Sequence, residues 1–237
     1  MAQVIILCGG RGQRLRPLTD TVPKALVPLH GKPILERLVQ AYIKNGIEDF
    51  IICIGYRGKC IKTFFKEKCF DAKVTFIDSG DEASILKRLY DTKNFLEDSV
   101  VVAYGDTLID VNVQDMLSTH KSKGKSATIV TANVKSPFGL VSYKNDGQVE
   151  SFIEKPIQSF YIGHMVINKS VLELLEENDL SLPDGQGLVK LFQNLIQCND
   201  LTTYPYNGPQ ITFNTREELS QAETDFVAFF TQREEQE

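Results

Sequence analysis

The chain has 237 residues, 42% of them apolar and 24% charged, with a net charge of −5. That length and composition suit a globular chain with a sizeable core, in one large domain or two small ones, and the acidic balance argues against nucleic acid or an anionic membrane as the main partner. Five cysteines (Cys8, Cys53, Cys60, Cys69, Cys198) without CxxC spacing and three scattered histidines argue against zinc and for reduced thiols in a cytoplasmic protein, and no stretch approaches the ~20 apolar residues of a membrane span.

AQVIILC at the start is too short for a signal sequence and runs straight into glycines. Its apolar part, residues 4–7, predicts a buried first strand that ends at Gly9-Gly10. Apolar residues at 34, 35, 38, 39, 42 and 43 have helical spacing, and Gly46 stands where that helix stops. Residues 50–54 predict a second strand, 60–68 a helix, 74–77 a third strand, 82–96 a helix and 100–103 a fourth strand. This alternation implies a parallel sheet with helices on both faces, whose ligands gather at the carboxyl ends of the strands. The Gly-rich stretch follows strand one, DSGD (78–81) follows strand three and YGD (104–106) follows strand four. Three candidate ligand loops therefore fall on one edge.

The second half reads differently. A helix over 112–123 precedes a strand at 127–133, and residues 138–156 predict a hairpin around Asn145-Asp146-Gly147. SFYIGHMVIN (159–168) is a further strand, with helices over 170–177, 186–197 and 216–232. FVAFF reads as helix packing, and the tail TQREEQE as frayed.

Residues 9–28, GGRGQRLRPLTDTVPKALVP, combine backbone freedom with positive charge. Glycines let backbone N–H groups approach a phosphate chain, and Arg14 and Arg16 suit forked contacts with its oxygens. The stretch is not a P-loop, because no GK[ST] follows, and Leu15 stands where a dinucleotide fingerprint needs its third glycine. Gly-rich turns and loop arginines also occur with no ligand at all, and an Asp after a strand, such as Asp106, commonly serves a turn.

The same twenty residues resemble the signature GGxGTRLxPLTxxxPKxLxP of the sugar-1-phosphate nucleotidyltransferases, with Gln13 in place of threonine. HGKPILERLVQAYIKNGIEDFIICIGYRG resembles the glucose-1-phosphate cytidylyltransferases in particular. DSGD is similar to their TGD segment, YGDTLIDVN to the metal-binding GD strand end, and FGLVSYKNDGQVESFIEKP to their EKP block. The resemblance implies an α/β, Rossmann-like nucleotidyltransferase fold. Its mixed, mostly parallel central sheet would be flanked by helices and carry a small β-rich sugar-binding subregion. It implies one nucleotidyltransferase domain over 1–237, with a nucleotide-binding half (1–110) and a sugar-phosphate-binding half (111–237).

The implied reaction is attack of a sugar-1-phosphate oxygen on the α-phosphorus of a nucleoside triphosphate, CTP in first place and UTP or GTP as alternatives. Leu7, Gly9, Gly10, Gly12, Gly80, Asp81 and Tyr104 would bind nucleotide. Arg14 would stabilise the leaving pyrophosphate, and Lys24 would bridge the α-phosphate and the attacking phosphate. Gly139, Glu154, Lys155, Tyr161 and Gly163 would bind the sugar phosphate. Asp106 and Asn214 would hold Mg²⁺. Asp81 reads either as a helix cap or as a base or ribose contact, and His164 as a structural histidine or a sugar-pocket wall. By analogy a homo-oligomer is expected.

Three positions depart from the pattern. Asn214, in ITFNTREEL, stands where the family has a second metal-binding aspartate. DSGDEASILKRL lacks the Gly-Gly pair that follows TGD, and Tyr161 replaces a sugar-binding asparagine. These departures motivate a second hypothesis, a regulatory homologue that binds nucleotide or nucleotide-sugar and turns over poorly.

Overall fold

The computed structural model describes residues 2–228; the tail TQREEQE and the last two phenylalanines of FVAFF lie outside the described residues. Strand β1 (Gln3–Leu7) leads through three short 3-10 turns to a two-residue pair, β2 (Pro28–Leu29) and β3 (Lys32–Pro33). Helix α1 (Ile34–Lys44), β4 (Asp49–Ile54), α2 (Gly58–Lys68), β5 (Lys73–Asp78), α3 (Ile85–Asp91), β6 (Ser99–Tyr104) and β7 (Thr107–Ile109) follow. The second half runs α4 (Val113–Lys123), β8 (Ala127–Lys135), β9 (Leu140–Tyr143), β10 (Val149–Ile153), β11 (Ile157–Asn168), α5 (Lys169–Glu173), α6 (Glu177–Leu180), α7 (Gln186–Gln197), β12 (Leu201–Tyr206), β13 (Gln210–Thr212) and α8 (Arg216–Phe226).

The central sheet has seven strands in the order β12-β8-β11-β6-β1-β4-β5. Only β11 runs antiparallel to its neighbours, β6 and β8. Both faces of the sheet are covered, which is why its strands read as unbroken apolar runs rather than alternating ones. Val4, Ile6, Phe50 and Ile52 pack toward α1, α2 and α8. Ile5, Ile51, Val100 and Val102 pack toward α3, α5 and α7 on the other face. Each such fully buried side chain contributes roughly 1.5–3 kcal/mol.

The chain winds outward from β1 through β4 to β5, then returns to the other side of β1 with β6. The crevice between the carboxyl ends of β1 and β6 is therefore the topological switch point, the default ligand position in such sheets.

The structure corrects two expectations and adds two elements that the sequence reading lacked. The helix expected over 82–96 is shorter: α3 starts at Ile85, with a separate 3-10 turn at Lys93–Phe95. Ser84 caps it, its Oγ accepting from Lys87 N at 3.2 Å. Residues 81–83 stay outside the helix, where Arg11 pairs with Asp81 at 3.7 Å and with Glu82. The helix expected over 170–177 breaks into α5 and α6, because Glu176 and Asp179 form a capping box that starts a new helix. Residues 201–206 form strand β12 despite Pro205, which an edge strand tolerates. The short β7–β13 pair, joining residues 107–109 to 210–212, had no local signal.

The hairpin forms as expected, with β9 and β10 closed by a turn in which Gly147 N donates to Lys144 O at 2.9 Å. Both of its strands are exposed along their whole length. No helix among the described residues is long and apolar enough to cross a membrane.

Candidate functional site

A cavity of about 740 Å³ opens at the switch point. Its walls come from the loop after β1 (Leu7 to Arg14), from Asp81–Ala83 after β5 and from Tyr104–Thr107 after β6. The three loops expected on one edge thus meet around one space.

Gly12 shapes the first wall. It has φ +58, which favours glycine, and a Cβ there would lie 3.0 Å from Lys24 Cβ and 3.1 Å from Thr19 Cγ2. Its carbonyl accepts from Thr19 Oγ1 at 2.9 Å and from Leu15 N at 3.0 Å. The loop therefore folds back on itself and brings Lys24 alongside the glycines.

Lys24 is the centre of the charge arrangement. Its ammonium bonds Asp106 Oδ2 and donates to Asn214 Oδ1 at 3.0 Å. Arg14 Nη2 donates to the same Asn214 oxygen at 3.0 Å. Glu218 fixes Asn214 from behind, accepting from its backbone N at 2.6 Å and from Nδ2 at 3.2 Å. That grip turns the amide so that its oxygen, not its NH₂, faces the two cations. The Thr107 hydroxyl lies 3.4 Å from Asp106 Oδ1 and 3.4 Å from the Thr212 hydroxyl.

Two hard oxygens, Asp106 Oδ2 and Asn214 Oδ1, thus converge on one positive charge. A hard divalent cation suits that donor set, because such an ion takes one or two carboxylates and completes its shell with water and phosphate oxygens. No group of three His, Cys, Asp or Glu side chains that could hold a metal stands together among the described residues. A bound ion would therefore draw most of its ligands from substrate and solvent.

The second side of the cavity is aromatic. Tyr104 and Tyr161 meet edge to face at 6.0 Å, and Tyr161 meets Phe192 at 5.5 Å. Burial pushes the Tyr161 phenol well above its ordinary pKa, and Tyr104 up to about 12, so both stay neutral. Gly163 lines the same wall. Asp184, from the turn before α7, also lines the cavity and accepts from Ile85 N at 3.0 Å. Cys8 lines the floor, but burial raises its pKa well above the ordinary thiol value and leaves it a poor nucleophile.

The expected site residues fall into three groups. Leu7, Gly9, Gly10, Gly12, Arg14, Lys24, Asp81, Tyr104, Asp106, Tyr161, Gly163 and Asn214 all line the cavity. Gly80 sits just behind Asp81 and is not among the lining residues. Gly139, Glu154 and Lys155 belong to the exposed hairpin region and do not line the cavity either. Glu154 and Lys155 are 64% and 53% exposed and lie 3.9 Å apart. His164 is fully buried beneath the wall, its Nδ1 against Ile162 O at 3.2 Å, and burial lowers its pKa to about 4.

Sequence reasoning missed Arg88, Asp184 and Thr212. Arg88 had one usable signal: it falls on the apolar face of α3 with Ile85, Leu86 and Leu89. Asp184 sits in a PDG turn and Thr212 in a three-residue strand, and neither carries a local mark.

The loop chemistry and the convergence of Lys24, Asp106 and Asn214 agree with comparisons to known proteins. The model of the Nucleotidyl transferase family matches residues 3–191. The chain belongs to the nucleotidyl transferase family. As a member of the sugar-1-phosphate nucleotidyltransferases it is 32% identical over 218 residues to glucose-1-phosphate cytidylyltransferase of Salmonella typhimurium, covering 81% of this chain and 84% of that one. It is 27% identical over 241 residues to the probable glucose-1-phosphate cytidylyltransferase of Bacillus subtilis, covering 92% and 93%. In fold it resembles a crystal structure of a putative glucose-1-phosphate thymidylyltransferase from Bacillus anthracis, with TM-score 0.75 at 21% identity over 94% of each chain. The nucleotidyltransferase fold is thus shown, with β11 as the antiparallel strand of a mostly parallel sheet.

Proposed function

We propose that the protein transfers a cytidylyl group from CTP to a sugar-1-phosphate with Mg²⁺, forming a CDP-sugar and pyrophosphate. The observation that carries this reading is the meeting of Lys24, Arg14, Asp106 and Asn214 at the carboxyl ends of β1 and β6. An oxygen of the sugar phosphate forms a bond to the α-phosphorus, and the bond from that phosphorus to the bridging oxygen of pyrophosphate breaks. The attacking oxygen is already anionic at neutral pH, so no protein base is needed. Catalysis of this kind consists mainly of positioning and charge neutralisation.

The residues divide that work. The backbone amides of Gly9, Gly10 and Gly12 hold the triphosphate. Lys24 exchanges its present carboxylate and amide partners for the α-phosphate and the incoming phosphate, and so draws two anions together. Arg14 takes charge from the departing pyrophosphate. Asp106 and Asn214 would hold Mg²⁺, which supplies charge neutralisation at the phosphate chain when bound. Tyr161 and Gly163 form the acceptor wall, and Glu154 and Lys155 of the hairpin region are assigned to the sugar phosphate on resemblance. Residues 1–110 and 111–237 act as the nucleotide and acceptor halves. The family reading also carries a cytoplasmic homo-oligomer, whose mass light scattering would measure.

CTP leads because the Salmonella typhimurium and Bacillus subtilis relatives are named for cytidylyl transfer, while other relatives are named for uridylyl and guanylyl transfer. The test is pyrophosphate release with Mg²⁺, as a grid of CTP, UTP, GTP, dTTP and ATP against a panel of sugar-1-phosphates. Release in the CTP column supports the reading, and release with another base reassigns the donor. A dark grid in which calorimetry still detects bound nucleotide overturns catalysis in favour of the regulatory binder.

Asn214→Asp tests the metal assignment. It converts a neutral oxygen donor into a charged one, so the Mg²⁺ concentration for half-maximal turnover is expected to fall several-fold. An unchanged midpoint removes Asn214 from the metal.

A further inference from the structure

Arg88 is a charged side chain only 3% exposed, and its guanidinium is spent on three neutral carbonyls. Nη1 donates to Ile54 O at 2.6 Å, and Nη2 donates to Gly80 O at 2.9 Å and Gly9 O at 3.2 Å. The three acceptors belong to three separate segments: the loop after β1, the end of β4 and the loop after β5. Two of these loops form walls of the cavity, and Arg88 itself lines it. A Cβ on Gly9 would lie 2.1 Å from Nη1, and one on Gly55 would lie 2.5 Å from it. The guanidinium thus occupies the space that glycines leave at both positions. Burial pulls its pKa below the ordinary guanidinium value.

A core arginine without a tight carboxylate partner is an expensive way to fill volume, because a buried charge must recover its lost hydration from what surrounds it. What the planar fork supplies is several donors in fixed directions. Here those directions set the distance between the Gly9 loop and the Gly80 loop. They also engage the Gly80 carbonyl and add a second donor to the Gly9 carbonyl, which accepts from Tyr56 N at 3.2 Å as well.

We propose that Arg88 is a positioning residue for nucleotide selection: it clamps the Gly9 and Gly80 loops at one separation and so fixes the loop edges between which the base is held. The proposal rests on the nucleotide reading of this cavity. In Arg88→Met the loops lose their common anchor and three carbonyls lose a donor. Arg88→Lys keeps the charge but not the fork. Gly55→Ala keeps the arginine and displaces it, because the new Cβ would also sit 2.7 Å from Gly80 O.

The experiment is calorimetric titration of CTP, UTP and GTP into the wild type and the three variants, with melting curves and KM for the sugar phosphate alongside. Arg88→Met and Gly55→Ala are expected to weaken the best nucleotide at least tenfold and to compress the preference among bases. The acceptor KM stays within twofold, and Arg88→Lys falls between. Should Arg88→Met not fold, Gly55→Ala alone decides. Folded variants with wild-type affinity and base preference overturn the proposal, as does a loss shared equally by nucleotide and acceptor, which is the mark of a merely structural residue. A wild type that binds no nucleotide overturns the reading of the cavity, and the role of Arg88 with it.

Discussion

Lys24→Ala is expected to lower kcat by about a thousandfold while the protein stays folded, the scale seen when a preorganised charge is removed from a transition state. The ammonium sits at the meeting point of Asp106 and Asn214, with a side chain only 13% exposed. Its charge there acts with little competition from water. In the free protein it is neutralised by Asp106; in the proposed reaction it would face two phosphates that repel each other. Removing it leaves that repulsion in place at the moment when the phosphates must approach. Stability should change little, because Asp106 keeps contact with solvent, its side chain 28% exposed, and is not stranded as a buried unpaired charge. Single-turnover kinetics at saturating substrates, with a melting curve as control, make the measurement. A rate within a few-fold of wild type would take Lys24 out of the mechanism.

Asp106→Asn should have the second-largest effect. It keeps the size and the turn but removes the one carboxylate among the oxygens converging on Lys24. Two neutral amides hold a hard divalent ion poorly. The expected result is a loss of turnover of about a hundredfold or more, with the Mg²⁺ midpoint moved upward at least tenfold. Nucleotide binding measured without metal should survive, since Gly9, Gly10 and Arg14 are untouched. An unchanged Mg²⁺ dependence would mean that another group holds the ion.

The two variants also separate the competing readings of Asn214. If its amide oxygen shares the metal with Asp106, Asn214→Asp and Asp106→Asn shift the Mg²⁺ midpoint in opposite directions. If Asn214 serves only to hold Lys24 and Arg14, the first substitution alters kcat and leaves the midpoint alone. Glu218 bears on both outcomes, because its carboxylate fixes the amide and would repel a new carboxylate at 214.

Much of this was open to a reader of the sequence. The apolar runs at 4–7, 50–54 and 100–103 mark strands covered on both faces, since a strand with one wet face alternates. The glycines and cations of 9–28 stood out as backbone freedom combined with charge, and the structure places Gly9, Gly10, Gly12, Arg14 and Lys24 along one cavity. Three loops following three strands had to emerge on one edge, because parallel strands point the same way. Local chemistry suffices for such inferences: each depends on residues within a few positions of one another.

Tertiary structure decided the rest. Lys24 meets Asp106 across 82 positions and Asn214 across 190, and no local preference encodes either meeting. α3 begins at Ile85 because Arg11 holds Asp81 and Glu82 and Asp184 takes the Ile85 amide, contacts made from distant loops. β12 forms around a proline because β8 offers it an edge. Arg88 lies inward because three carbonyls wait there. Propensity acts over about one turn of chain, whereas a buried charge or a strand edge is satisfied only by whatever the packed fold brings to it. The sequence by itself therefore determined the sheet and the edge on which its three loops meet; the packed fold decided which charges face one another across it.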